Sequence, residues 1–260
     1  MRLDGYIKDI PSAKDLSAGD LLRGAPAVEL PESYQVYSSP PLMNQGQTSE
    51  CVAYGDTLIR RLHELIEVGS YPAFDPHVLY LRCKEKDGIP DLPGTYPRTA
   101  LDIMLHEGMP VKGYESKGLC FMKKSNFHPG YKIGGYWRVT KESDNQIKQI
   151  IMEYGALSVA STWYDEWMSM GRLFPNPKIP GGGHHYVFDG WDSTGWRVLN
   201  SWGAEWGVGG IAYMPFEMFR QVVLPEGDVW KMLDTVTANK AMRRLSKEIG
   251  FRTEMIQCWE

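Results

Sequence analysis

Three observations predict an α+β fold in which two lobes share a cleft. Apolar residues recur at spacings of three and four after Cys51, at Leu58, Leu62, Leu65 and Ile66, and helical patterning returns through His106. From Tyr131 onward the chain changes to β-branched and aromatic runs of strand character. Its 260 residues, 43% of them hydrophobic, suffice for one large domain or two lobes around a cleft.

Residues 1–29 carry Pro11, Gly19, Gly24 and Pro26 with little period of either kind, and are expected to be an extended leader with one short helical turn between Ala13 and Leu22. The helix after Cys51 ends at Gly69. A second helix starts with Asp75 as cap and Pro76 in its first turn, where a missing N–H costs nothing. Breakers fill 87–97, and a third helix runs from Thr99 to His106 before Gly108. A strand is expected between Tyr131 and Thr140, then an amphipathic helix from Lys141 to Tyr154 closed by Gly155, then further strands. Near the end, Val236, Ala241, Leu245 and Ile249 share one helical face with Gly250 as cap. This appended helix could dock on its own lobe, join two chains or bind a partner; the sequence does not choose.

A net charge of −4 without a basic run gives no reason to expect a nucleic-acid or acidic-membrane partner. No stretch approaches the roughly 20 apolar residues of a membrane span, and Met1 to Tyr6 lacks the apolar core of a signal peptide, so a cytoplasmic location is the expectation. The four cysteines, Cys51, Cys83, Cys120 and Cys258, form no CxxC pair and are expected to be reduced thiols. A site from Cys83, His106, Cys120 and His128 fits no familiar metal spacing, and neither metal nor cofactor is expected. His77 reads as a surface or half-buried side chain.

Chemistry concentrates in three segments. Cys51 follows the polar run Asn44-Gln45-Gly46-Gln47-Thr48-Ser49-Glu50 and opens a helix, whose positive end favours thiolate and lowers a cysteine pKa. Gln45, six residues upstream across a turn at Gly46, can bring its amide to a developing oxyanion. Gly181-Gly182-Gly183-His184-His185 begins a strand, where a histidine can serve as base to the thiol. Neighbours on a strand point to opposite faces, so only one of the two histidines can face Cys51. The third segment is Asn200-Ser201-Trp202-Gly203-Ala204-Glu205-Trp206-Gly207.

These segments, in this order, resemble the papain-like cysteine peptidases, in the short-leader form of bacterial and viral relatives. The resemblance covers roughly residues 30–215, from Leu30-Pro31-Glu32-Ser33-Tyr34, and rests most on Asn-Ser-Trp-Gly-x-x-Trp-Gly and on the sixteen residues from His184 to Asn200. It implies a helical left lobe (about 45–130) and a β-barrel right lobe (about 131–220) with the active-site cleft between them, and leaves 221–260 as a C-terminal extension. It implies Cys51 as nucleophile, His184 as base, Asn200 as the group orienting it, Gln45 in the oxyanion hole and Trp202 as a shield. It places Gly94, Thr95 and Tyr96 at the substrate subsites. The spacing favours His184 over His185, which then packs within the barrel. The chain departs from the family at Thr48, Glu50 and Val52, where many members have cysteine, a small residue and tryptophan. Glu50 beside the thiol is expected to oppose thiolate. The implied activity is hydrolysis of peptide or protein substrates, as an endopeptidase; the alternatives are a peptide-binding or structural protein with a weak site, or an acyl transferase using the same thioester.

Overall fold

The computed structural model of the chain describes residues 3–26, 28–114 and 126–237. In chain order the strands and longer helices are β1 (Leu3–Asp4), β2 (Tyr34–Gln35), α1 (Cys51–Val68), α2 (Pro76–Lys86), α3 (Pro97–His106), β3 (Met109–Pro110) and β4 (Phe127–His128). They continue with β5 (Ile133–Arg138), α4 (Asp144–Tyr154), β6 (Leu157–Tyr164), β7 (Pro180–Asp192), β8 (Gly195–Leu199), β9 (Ile211–Met214) and β10 (Asp228–Asp234). Helix α1 with α2 and α3 makes the first lobe, and a sheet ordered β5-β10-β6-β7-β8-β9 makes the second. This is the helical-then-strand division expected from the sequence.

The local signals explain the helix ends. Asp75 accepts a bond from the Val78 N–H with Pro76 beside it, and Ser143 with Gln146 forms a reciprocal capping box at the start of α4. Gly69, at φ +75°, closes α1 in the left-handed conformation that glycine adopts without strain. The helix α1 itself differs from expectation. Instead of one apolar stripe it is buried nearly all round from Cys51 to Glu64, including Asp56, Thr57, Arg60 and His63, whereas Ile66 is exposed. The reason is its position: α2 and α3 pack on one side and β6 and β7 on the other, so both faces are covered.

Two cores result. One joins α1 to α3 with Ala160, Val187, Leu199, Trp230 and Met232 of the sheet. The other is aromatic and lies beyond the sheet, where Trp163, Trp167, Phe174, Trp202 and Trp206 pack with α4 and β7. The thirteen-residue β7 is the hub. Its central part pairs with β6, its start also pairs in parallel with β1, and its end pairs with β2 and β8.

Strand β10 lies between β5 and β6, inside the stretch assigned from sequence to a C-terminal extension starting at 221. The domain therefore runs at least through Asp234. Alternation is masked there because β10 is buried on both faces, Asp228 and Lys231 included, so its residues read as neither amphipathic nor purely apolar. The appended helix, for which the sequence pattern runs to Ile249, lies outside the described residues beyond 237, as do Cys120 and Cys258. No described helix is long and apolar enough to cross a membrane.

Candidate active site

The loop before α1 is stitched to the Asn200 segment from the second lobe. Gln45 N–H donates to the Ser201 carbonyl (2.8 Å), Gly203 N–H donates to the Met43 carbonyl (3.1 Å), and Ser201 Oγ donates to Gln45 Oε1 (2.6 Å). Gly46 turns the chain at φ +64°, and Asn44 Oδ1 accepts from its N–H at 2.8 Å. Gln45 Nε2 donates one hydrogen to the Thr48 carbonyl at 2.7 Å. Its amide is therefore held on both ends, with a second N–H on the same nitrogen.

Cys51 is the first residue of α1 and is 1% exposed. The backbone N–H groups of His185, Val52 and Cys51 itself favour the thiolate form of its sulfur. Sequence reasoning expects a lowered thiol pKa here, from the helix end. The structure has the opposite balance: burial pushes the thiol up to about 12, the charge of Asp56 adds to this, and the three N–H groups recover only part. The cover is the chain's own N-terminus. A β-carbon on Gly5 would lie 2.4 Å from Cys51 Sγ.

His184 lies at the start of β7, fully buried between Trp202 (centroids 4.5 Å, 32°) and Trp163 (4.7 Å, 76°). Its Nε2 is 2.8 Å from Asn200 Oδ1. The Ser201 N–H also donates to that oxygen at 2.8 Å, which fixes which end of the amide is the acceptor. Nε2 therefore carries the proton and Nδ1 is the unprotonated nitrogen. Burial, with a smaller contribution from His185, lowers the imidazole to about 3 against the raising effect of Asn200. With the leader in place the thiol and the imidazole are both neutral.

His185 points away from Asn200, toward Ser158 and α1. Asp189 accepts from Arg197 at 2.6 Å in full burial, and the register of β7 against β8 shifts there. The pairing of β7 with β6 is regular from Gly182 to Phe188, so the irregularity lies past the histidines.

The leader runs through the cleft as a strand. Leu3 and Asp4 align in parallel with Gly182 and Gly183 of β7. On the other side Thr95 N–H donates to the Gly5 carbonyl (3.3 Å) and Ile7 N–H to the Thr95 carbonyl (3.0 Å). Bare glycines make room: β-carbons on Gly94 and Gly183 would lie 2.2 Å from the Asp4 carbonyl oxygen and 2.4 Å from that of Tyr6. Tyr6 Oη and the Asp9 N–H both donate to Asp228 Oδ2 at 2.7 Å.

The structure thus gathers Cys51, Gln45, His184, Asn200 and Trp202 around the junction of the lobes, with Gly94 and Thr95 on the peptide-carrying wall. Tyr96 instead flanks the start of α3, its carbonyl accepting from Thr99. Sequence reasoning missed Trp163, which has no signal beyond its place in a strand, and the plugging role of Gly5 and Tyr6. The glycine run at 181–183 held a signal for that close backbone approach. Among the described residues no group of side chains could hold a metal ion.

The family described as papain family cysteine protease matches residues 80–222, more than half of the chain, and the chain belongs to that family. The match begins after Cys51, so the thiol's place rests on the geometry above. Human cathepsin O is 32% identical over 106 residues, 37% of this chain and 32% of that protein. A cathepsin L-like protein of Caenorhabditis elegans is 26% identical over 186 residues, 64% of this chain and 53% of that one. The chain thus spans about a third to a half of the length of these curated relatives. Xylellain, a cysteine protease from Xylella fastidiosa, shares the fold at a TM-score of 0.72 and 21% identity, over 90% of this chain and 98% of its own. Procathepsin B S9 from Trypanosoma congolense does so at 0.66 and 16%, over 90% and 87%.

Proposed function

We propose that this chain is a cysteine endopeptidase, held closed by its own N-terminal segment. The observation that carries the reading is the His184 Nε2 to Asn200 Oδ1 bond of 2.8 Å, covered by the tilted Trp202 ring, one residue from the His185 backbone N–H that favours the Cys51 thiolate. That bond puts the free lone pair on Nδ1, the nitrogen a base needs.

The steps follow from the groups. With the leader displaced, water reaches the cleft and the burial penalty on both charged forms falls, so the Cys51 proton passes to His184 Nδ1. The thiolate attacks a peptide carbonyl carbon, forming a C–S bond as the carbonyl π pair moves to oxygen. The Cys51 backbone N–H and the second Gln45 Nε2 hydrogen stabilise that oxyanion, an interaction worth roughly 3–4 kcal/mol per donor in such sites. The C–N bond breaks as His184 gives its proton to the leaving amine. Water, deprotonated by His184, then cleaves the thioester and regenerates the thiol. Gly94 and Thr95, which bond or contact the leader backbone, are the proposed substrate wall.

Full-length chain and its Gly5→Val variant, treated with an epoxide thiol probe under reducing conditions and mapped by mass spectrometry, test this. Label on Cys51, faster in Gly5→Val because the side chain cannot fit over the sulfur, is expected. Label on neither, with the unfolded chain reacting normally, overturns the reading. A peptide library then checks the cleavage mode: internal cuts are expected, and release of only single residues or dipeptides excludes endopeptidase action.

A further inference from the structure

His185 makes contacts that a packing role does not require. Its ring, fully buried, is keyed into α1 at Gly55, where a β-carbon would lie 2.1 Å from Nδ1. Nε2 is 2.7 Å from Ser158 Oγ on β6 and 3.4 Å from Asp56 Oδ1 on α1. One imidazole therefore ties three elements together. Asp56 is fully buried, and neither of its carboxylate oxygens has a hydrogen-bond partner among the described residues; His185 Nδ1 has none either. A buried carboxylate is costly unless a donor or cation is within reach, and the His185 ring is the group in range. An apolar side chain keyed into Gly55 would pack α1 on β7 without that cost.

The same residue's backbone also influences the reacting atom. The His185 N–H acts on the Cys51 thiol in the direction of thiolate, while its ring meets Gly55 and Asp56 just over one turn further along the same helix. Main chain and side chain thus grip α1 at two points.

We propose that His185, Ser158 and Asp56 are positioning residues for the Cys51 thiol: the ring, held by Ser158 and keyed beside Asp56 at Gly55, fixes β7 on α1 so that the His185 N–H stays aligned with the thiol and His184 keeps its place. This rests on the peptidase reading. Loss of the ring's grip lets β7 shift relative to α1, and the thiol loses alignment without any change in its own residue.

The test is the rate of iodoacetamide alkylation at Cys51 in the full-length chain, mapped by mass spectrometry beside thermal melts. It is run in the parent and Gly5→Val backgrounds so that changes in leader docking can be recognised. His185→Ala is expected to slow alkylation about tenfold or more in both backgrounds, Ser158→Ala several-fold, and His185→Gln to recover most of the rate because its amide can still engage Ser158. With peptide substrate, kcat should fall while KM holds. A folded His185→Ala that reacts at the parent rate overturns the proposal, as does equal loss in the Ala and Gln variants in step with melting temperature. Should His185→Ala not fold, an unchanged rate in Ser158→Ala overturns it. An unreactive Cys51 in the Gly5→Val chain itself instead sinks the peptidase reading on which the proposal stands.

Discussion

Asn200 spends its side-chain oxygen on two donors, the His184 ring and the Ser201 N–H, and so sets both the tautomer and the angle of the imidazole. Asn200→Ala leaves the ring to rotate against Trp202. We expect kcat to fall by roughly 10- to 100-fold, since positioned acid–base groups contribute about 10²–10⁴ in rate and only orientation is lost, with KM little changed. Steady-state kinetics on a peptide found by library screening checks this, and a KM effect alone would place Asn200 in binding. Glu50 needs a revised expectation. Its carboxylate accepts from His77 Nδ1 at 2.9 Å, at the start of α2, so the charge is engaged by a neighbouring helix. His77, read from sequence as a surface or half-buried residue, has a side chain 58% exposed, which limits the pair to about 0–1 kcal/mol. Glu50→Ser should shift denaturant unfolding by no more than that and leave the pH profile of Cys51 alkylation in place; a clear shift of that profile would return Glu50 to the thiol's environment.

At the scale of elements, the leader is bound by polar anchors as well as by its ladder in the cleft. Asp9 is 3% exposed, accepts from Trp230 Nε1 at 3.0 Å and from the Arg98 N–H, and its own N–H donates to Asp228, which also meets Tyr6 and Arg138. Burial first, then the charge of Asp228, push its carboxyl up to about 7, against the lowering effect of Arg98. With the ordinary value of 3.8 for a released leader, the docked state binds the extra proton between those two values. Docking is therefore strongest below the lower value and weakens as pH rises through about 7. Asn cannot ionise, so Asp9→Asn should remain docked at high pH. The ratio of Cys51 alkylation in the parent to that in Asp9→Asn should be near one below about pH 4, rise between there and pH 7, and stay several-fold higher above pH 7; a flat ratio would mean that Asp9 does not gate the leader. The leader was legible in sequence only as a poorly periodic segment. Its binding uses backbone ladders to Gly183 and Thr95, and backbone pairing leaves little trace in side-chain type.

Across the whole molecule, the cost of joining two lobes is visible in the buried charges at their junction. Lys231 of β10 is fully buried and donates to the Ala156 carbonyl at 2.8 Å, and burial presses its ammonium down to about 7. The unfolded chain, with the ordinary 10.5, binds more protons between those values, so this residue's share of stability rises with pH across them and is lost as pH falls toward 7. Lys231→Met fills similar space without the charge. Its melting temperature relative to the parent should therefore rise as pH is lowered from about 10 to 7; a difference that does not change with pH would show that the ammonium is solvated in the folded state. Sequence by itself determined the class of fold, the helices α1 to α4 with the signals at Gly69, Asp75 and Gly155, and the candidate residues Cys51, Gln45, His184 and Asn200, because periodicity, capping chemistry and fixed spacings are local properties of the chain. Only the tertiary structure decided that Gly5 covers the thiol, that His185 grips Gly55 and Asp56, and that β10 lies inside the sheet. These depend on contacts such as Tyr6 to Asp228, 222 residues apart. Burial there reverses the thiol shift expected from the helix end alone, and desolvation is a property of the assembled surroundings that no local pattern encodes.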